Sequence, residues 1–504
     1  MHLYYLTLSL NLHCLHHFVG IADPTAMMRK VTRAIALTQL LAGLVASQSS
    51  SASCAAPSGS IRPSVASGYS LQVVATGIAS PRGLAIDDQG HLLVVSQGAG
   101  SITSYTVDES NGCTTLGNNV TTVDVGSALN HGIWINGSTL YASNVSTVFS
   151  WSYDVAGRTV SNRQELVTGM ANSDHGTRTL LLPQSAPGML VVTRGSGGNL
   201  DINSTTIEGG TAQVRAFNLN NRTGTYQWLD GMLLGWGARN EVGIAEHPST
   251  GGIWGVENSA DQIMRDGVDV SNNNPGEELN FFGYLNGTPY AKQGSNFGYP
   301  WCLSVWNKTE LPDNSNLTIG QQFAFDAAST LDNQNRTDQY CSEQTTARLV
   351  FQAHMAPLDI KFNNSATEAW ISFHGSWDRT DPVGYKLSVV SFGANGEPTE
   401  PSTSTTAATD IIANADNSRC PDNCFRPAGL VIDRQGRIFM SSDASGEIYL
   451  VTRNSSSNGT SGTTGTSSSA TPSSSTSAGM AGPTYNVYST GLGAICAFLM
   501  SLRL

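Results

Sequence analysis

Charge is scarce in this chain. Only 13% of its 504 residues are Asp, Glu, Lys or Arg, and 38 acidic residues outnumber 26 basic ones. A net charge of -12 offers no basic face of the kind phosphate backbones demand, which excludes nucleic acid as a partner. Long apolar runs are missing too. The segments 34–46 and 491–504 both fall short of the roughly 20 residues that span a bilayer. Cysteines number eight, and the CxxxC pair Cys420 and Cys424 has no second ligand pair to complete a zinc site. What is abundant is glycine, 52 residues, with many Ser, Thr and Asn. That composition suits short strands joined by turns, and the class reads as all-β.

The two ends read as processing signals. Met28 is followed by Arg29, Lys30 and Arg33, then the apolar run 34–46, then small residues over 47–52. This order is that of a secretory signal peptide, so residues 1–48 are a leader whose true start is Met28. Residues 454–480 are nearly pure Ser, Thr and Gly, a composition that buries no core and reads as a disordered stalk. Small residues at Ser477, Ala478 and Gly479, a polar spacer and the apolar end match a GPI-anchor signal over 481–504. The expectation is a secreted protein tethered to the membrane surface. Export allows disulfides among the six cysteines outside the leader and tail, paired as Cys54–Cys113, Cys302–Cys341 and Cys420–Cys424. About a dozen N-x-S/T sequons, Asn136, Asn203, Asn307 and Asn335 among them, fit a glycoprotein.

Between the ends, over 54–453, one pattern recurs. A polar or small opening leads into alternating apolar residues, a tight turn and a second apolar strand. The copies open at Pro81-Arg82-Gly83, His131-Gly132, His175-Gly176-Thr177-Arg178, Asn240-Glu241-Val242-Gly243, Ala356-Pro357-Leu358 and Arg426-Pro427-Ala428-Gly429. The apolar period is two, not 3.6, so each copy is a hairpin. Six hairpins that cannot bury both faces alone stack radially, which predicts a six-bladed β-propeller with its extra length in loops between Asn258 and His354.

In a propeller the openings of all repeats meet at one end of the axis. Those openings and adjoining turns carry His131, His175, His374 and Asn240 with the cations Arg82, Arg178, Arg194, Arg239, Arg379, Lys386 and Arg426. Nearby carboxylates, Asp174, Glu241 and Glu257, are too few to neutralise them, so a polyanionic ligand is expected. The glycines of 194–198 are followed by no helix pattern, which argues against a pyrophosphate-cradling loop.

His374-Gly375-Ser376-Trp377-Asp378-Arg379 with Gly384-Tyr385-Lys386, the loop Asn296-Phe297-Gly298-Tyr299-Pro300, Arg239-Asn240 and Ser173-Asp174-His175-Gly176 resemble the glucose/sorbosone dehydrogenase family, above all fungal pyranose dehydrogenases dependent on pyrroloquinoline quinone (PQQ). The resemblance covers roughly 68–453. It implies PQQ across the channel mouth and a calcium ion held by the quinone and backbone carbonyls. On that basis Arg379, Lys386 and Arg426 hold cofactor carboxylates, Arg239 and Asn240 face the quinone oxygens, and Arg82 and His374 are further cofactor contacts. The carbonyls of Asn258 and Ser259 are the implied calcium ligands. His175 matches the general base for a sugar hydroxyl, with Arg239 stabilising charge that develops on the quinone. His131 is a rival for the base or a substrate contact, and Trp236, Trp301 and Trp377 are candidates to stack on a sugar.

Asp378 departs from the Asn of many bacterial relatives, and Ser196 stands where some place an acid that orients the histidine. Asp174 or Asp201 could replace that acid. Electrons are expected to leave to a separate acceptor, a copper monooxygenase or a quinone. Two other readings compete: a metal-dependent lactonase using Glu257, Asn240 and Asp443, and a non-catalytic propeller that binds glycans or proteins.

Overall fold

The computed structural model describes residues 56–454. The leader, Cys54, the stalk beyond Asn454 and the C-terminal tail lie outside the described residues. Six sheets of four or five strands, antiparallel except for a short parallel outermost pair in the second blade, form the blades of a β-propeller. Their innermost strands are Pro81–Ile86, Ile133–Asn136, Leu180–Leu181, Glu241–Glu246, Pro357–Phe362 and Pro427–Ile432. Second strands such as Leu92–Ser96 and Gly252–Glu257 are buried along their whole length, because a neighbouring blade covers each face. Leu93 and Val95 of the first blade, for example, share a core with Ile133, Leu140 and Phe149 of the second.

The ring closes by exchange between the chain ends. Tyr69–Ala75 pairs antiparallel with Glu447–Arg453, so an N-terminal strand forms the outer edge of the sixth blade. Closure of this kind ties the first and last blades together and hides their edges.

At the axis the innermost strands approach so closely that glycine is required. A Cβ on Gly83 would collide with the carbonyl oxygen of His131, one on Gly132 with that of Arg178, and one on Gly429 with that of Arg82. Hydroxyls from second strands then bridge blades: Ser143 Oγ donates to the Arg178 carbonyl, Ser372 Oγ to that of Ala428 and Ser441 Oγ to that of Arg82. These contacts identify equivalent positions. Arg82, His131 and Arg178 occupy the axis in the first three blades, and Val242, Leu358 and Ala428, which pack together, occupy it in the last three. The third repeat therefore opens at Arg178 rather than at His175, and His131 and His175 are not equivalent.

The long fourth-blade insertion has its own small core of Tyr299, Trp301, Leu303, Phe323 and Phe325. It carries a two-stranded ribbon, Cys302–Ser304 with Gln322–Ala324, and a Cys302–Cys341 disulfide with Cα atoms 5.3 Å apart. Cys420 and Cys424 are bonded as expected, with Cα atoms 5.4 Å apart. Cys113 is disulfide-bonded as well.

Candidate active site

His175 lies on the loop that enters the third blade. Two buried arginines shape that loop. Arg178 donates to the carbonyls of Met170, His175 and Thr177, and Arg194 to Ala171, Gly210 and the Asn172 side chain. Neither guanidinium faces the mouth, so these two drop out of the cation cluster read from the sequence. Gly195 lets the loop close, since a Cβ there would lie 2.7 Å from the His175 Cβ and 2.5 Å from Asn240 Oδ1. His175 Nδ1 sits 2.9 Å from Ser196 Oγ and 3.1 Å from the Ser196 carbonyl. Ser196 Oγ itself donates to the Gly198 carbonyl at 2.7 Å. With its own hydrogen committed, Ser196 accepts at His175, so Nδ1 carries the proton and Nε2 keeps a free lone pair. Serine thus fills the orienting place where an acid was sought; Asp201 instead accepts from the Gly197 amide. Burial, then the Arg239 cation, pull His175 down to about 4, against the pull of Asp174 and Asp261. It is neutral at ordinary pH and able to take a proton.

Arg239 enters the fourth blade at the same offset from the axis as His175 in the third. Its Nη1 donates to the Ser259 carbonyl at 2.6 Å and the Asn258 carbonyl at 3.2 Å, and its Nη2 reaches Asn199 Oδ1 and Asp261 Oδ2. The two carbonyls expected to hold calcium therefore do converge on a cationic atom. Each carbonyl keeps a second lone pair, and oxygen donors suit a hard cation. Beside them Asn240 Oδ1 is buried without a partner.

A second group lies across the mouth. Arg82 Nη1 pairs with Asp443 at 2.7 Å, and Asp443 also takes His374 Nε2 at 2.8 Å. Those partners hold the Asp443 carboxyl well below its ordinary range despite its burial. Arg426 donates to the carbonyls of His374 and Gly375, and Arg379 to those of Asp381 and Asn272 and to Asn273 Oδ1. Among the described residues neither Arg379 nor Arg426 has a carboxylate within ion-pair distance. Trp377 beside them is 63% exposed.

Two expected site residues are placed elsewhere. His131 is 2% exposed and accepts from Arg82 Nε at its Nδ1, and it lines an axial cavity of about 740 Å³ walled by the far ends of the inner strands. Burial and Arg82 push its pKa well down. It lies behind Arg82, which leaves His175 as the base candidate at the mouth. Lys386 opens the third strand of the fifth blade, one strand out from His374, where its ammonium pairs with Asp410 at 2.8 Å. Among the other tryptophans, Trp301 is buried in the insertion core and Trp236 packs against it.

Sequence reasoning missed two features. Glu241, Glu257 and Glu278 are all buried and all accept from Asn280 Nδ2, at 3.0–3.2 Å, directly behind Arg239. Burial raises all three carboxyls. Glu241 and Glu257 stand out in the sequence; what it does not show is that Glu278 and Asn280 of the strand Glu277–Tyr284 join them. The second is His354, between Asp261 and Asp378, which lies four residues ahead of the axis position of its blade, close to the offset of His175 and Arg239. The lactonase arrangement does not form: Asp443 is bonded to Arg82 and His374, and Glu257 to Asn280 and the Arg239 amide.

Fold and site together define a six-bladed propeller whose mouth carries a neutral histidine and, across from it, guanidinium groups lacking carboxylate partners, a chemistry that fits a polycarboxylate. The chain belongs to the TrAA12-like family, whose model matches residues 63–454. It is 43% identical over 402 residues to a PQQ-dependent sugar dehydrogenase of Hypocrea jecorina, covering 78% of this chain and 90% of that protein. It is 36% identical over 421 residues to a PQQ-dependent pyranose dehydrogenase of Coprinopsis cinerea, covering 79% of this chain and 56% of that longer protein. Two solved structures share the fold. A calcium structure of a Trichoderma reesei carbohydrate-active enzyme of family AA12 has TM-score 0.74 and 44% identity, covering 78% of this chain and 97% of that one. The holo form of the Coprinopsis cinerea pyranose dehydrogenase PQQ domain has TM-score 0.73 and 35% identity, covering 79% and 99%.

Proposed function

We propose that the protein is a PQQ-dependent sugar dehydrogenase that acts outside the cell on a pyranose or keto-aldose, with calcium as its second cofactor. The observation that carries this reading is the pairing of a neutral, Nδ1-protonated His175 with Arg379 and Arg426, whose donors are met only by carbonyls and an amide. PQQ, when bound, supplies a two-electron oxidant that carries three carboxylates.

Oxidising a sugar at carbon requires the loss of a hydride and a hydroxyl proton. His175 Nε2 accepts that proton, while Ser196 keeps Nδ1 protonated and the ring fixed. Arg379 and Arg426 have donors to give to carboxylates, and Arg82 and His374, joined through Asp443, flank them. Arg239 and Asn240 present donors to oxygens on which negative charge grows. The carbonyls of Asn258 and Ser259 are the protein ligands for calcium. Trp377 is the exposed aromatic face at the mouth, suited to stacking on a pyranose ring. Electrons then leave to an external acceptor, a copper monooxygenase or a small quinone, and the C-terminal segment tethers the enzyme to the membrane surface.

The test adds PQQ and calcium to the purified protein with a dye acceptor and a panel of aldoses and keto-aldoses. Dye reduction should need both cofactors. Arg379→Ala should lose cofactor affinity, and His175→Ala should keep affinity and lose turnover. Failure of the wild-type protein to bind PQQ would end this reading.

A further inference from the structure

We infer that His354 is a positioning residue: it locks Arg239 and the 374–380 loop into one frame across the fourth and fifth blades. The inference rests on the mouth being the cofactor site, and its first observation is purely geometric. His354 Nδ1 stands 3.2 Å from Asp261 Oδ1 and 3.3 Å from Asp378 Oδ1, and Nε2 donates to the Ser271 carbonyl. Nε2 faces a carbonyl and Nδ1 faces two carboxylate oxygens, of which Asp378 Oδ1 accepts no hydrogen bond, so both nitrogens hold protons and the ring is a buried cation. Burial alone would discharge it. The hydrogen bonds to Asp261 and Ser271, with Glu277 and Asp378 nearby, overcome that and raise it to about 9.

The second observation is what the three acceptors hold. Asp261 uses its other oxygen to accept from Arg239 Nη2 at 3.2 Å, so one carboxylate joins His354 to the guanidinium at the implied calcium carbonyls. Asp378 belongs to the loop of Trp377 and Arg379. Ser271 precedes Asn272 and Asn273, which receive Arg379 and the Thr380 amide. His354 is thus the node at which Arg239, the insertion and the exposed Trp377 loop meet.

The third observation is backbone strain at this node. His354 and Ala356 have φ of +65° and +52°, and Tyr385 opposite has +56°. Gly375 and Gly384, at +98° and +85°, fill the space between, where a Cβ on Gly384 would lie 2.8 Å from the Met355 carbonyl. Left-handed backbone at non-glycine residues is strained and persists where the surroundings enforce it, typically at functional sites.

The test compares wild type with His354→Asn, since Asn tolerates the left-handed backbone while removing the cation. In the cofactor-free protein, hydrogen exchange over residues 376–383 should quicken at least about tenfold, with the strand Leu92–Ser96 unchanged. In a PQQ titration with calcium, the dissociation constant should rise at least about tenfold. Asp378→Asn cuts only the loop side of the node and should reproduce the exchange change, which keeps the inference testable if His354→Asn fails to fold. Unchanged exchange over 376–383 in either folded variant overturns the clamp. Faster exchange with unchanged PQQ affinity overturns the positioning role. Absence of PQQ binding in wild type would defeat the proposed function instead, and the cofactor-free exchange would still decide the clamp.

Discussion

Replacing Ser196 with Asp should move the acid limb of the reaction upward in pH. In the wild-type protein the proposed base, His175, is held down to about 4 by burial and Arg239, and its Nδ1 partner is a neutral hydroxyl at 2.9 Å. A carboxylate at that distance would stabilise the imidazolium. Two unit charges about 4 Å apart at an effective dielectric near 20 interact by about 4 kcal/mol. That energy is roughly a thousandfold in proton affinity, enough to carry the limb from near pH 4 to about pH 7. Ser196→Ala is the control. The Ser196 carbonyl at 3.1 Å still receives the Nδ1 proton, so the limb should stay and the rate should fall about fivefold, the worth of one neutral hydrogen bond. The assay is kcat/KM against pH for the PQQ- and calcium-loaded protein, with a dye whose potential does not vary over the range. An unmoved limb in Ser196→Asp would refute His175 as the proton acceptor, and a wild-type limb at the ordinary histidine value would refute the electrostatic account of the mouth.

Three further outcomes follow from the fold. Buried neutral histidines oppose acid: His175 and His374 are lowered, so the stability they contribute is present above pH 6.5 and lost as pH falls, for His175 through about 4. His354 is raised, so its contribution is full below 6.5 and lost as pH rises through about 9; melting temperature against pH should fall on both flanks. Gly132→Ala should unfold the ring or destabilise it by about 3 kcal/mol or more in chemical denaturation, because the new Cβ meets the Arg178 carbonyl and neither backbone can retreat. Replacing Cys302 and Cys341 by Ser opens a loop with a sequence separation of 39, worth up to about 4 kcal/mol of denatured-state entropy, and limited proteolysis should cut the insertion before the blades.

The architecture was legible because a propeller writes its fold six times: alternating apolar pairs and tight turns survive divergence between blades. Register within a repeat was less secure. The third blade has an innermost strand of only Leu180–Leu181, and the pair His175-Gly176 imitates His131-Gly132 three residues ahead of the true axis residue, Arg178. Arg239, Arg379 and Arg426 stand out in the sequence because basic residues are few, 26 in all, and several fall at repeat openings and adjoining turns. His354 escaped because it sits on an entering loop with no repeated neighbour, and its charge comes from residues 93 positions earlier and 24 later in sequence, Asp261 and Asp378. Lys386 was named from its motif neighbours Gly384 and Tyr385, which say nothing about Asp410, its ion-pair partner across the strand pair.

The last strand of the sixth blade, Glu447–Arg453, also fixes which way the molecule points. Ile438–Ser442 runs toward the mouth, ending beside Asp443, so its antiparallel neighbour Glu447–Arg453 runs back and delivers the chain to the opposite face. A support joined after Arg453, whether a resin, an electrode or a membrane, would sit under the floor of the propeller. Substrate and electron acceptor could then approach the mouth from the open side, and C-terminal immobilisation becomes the orientation of choice for any device built on this enzyme.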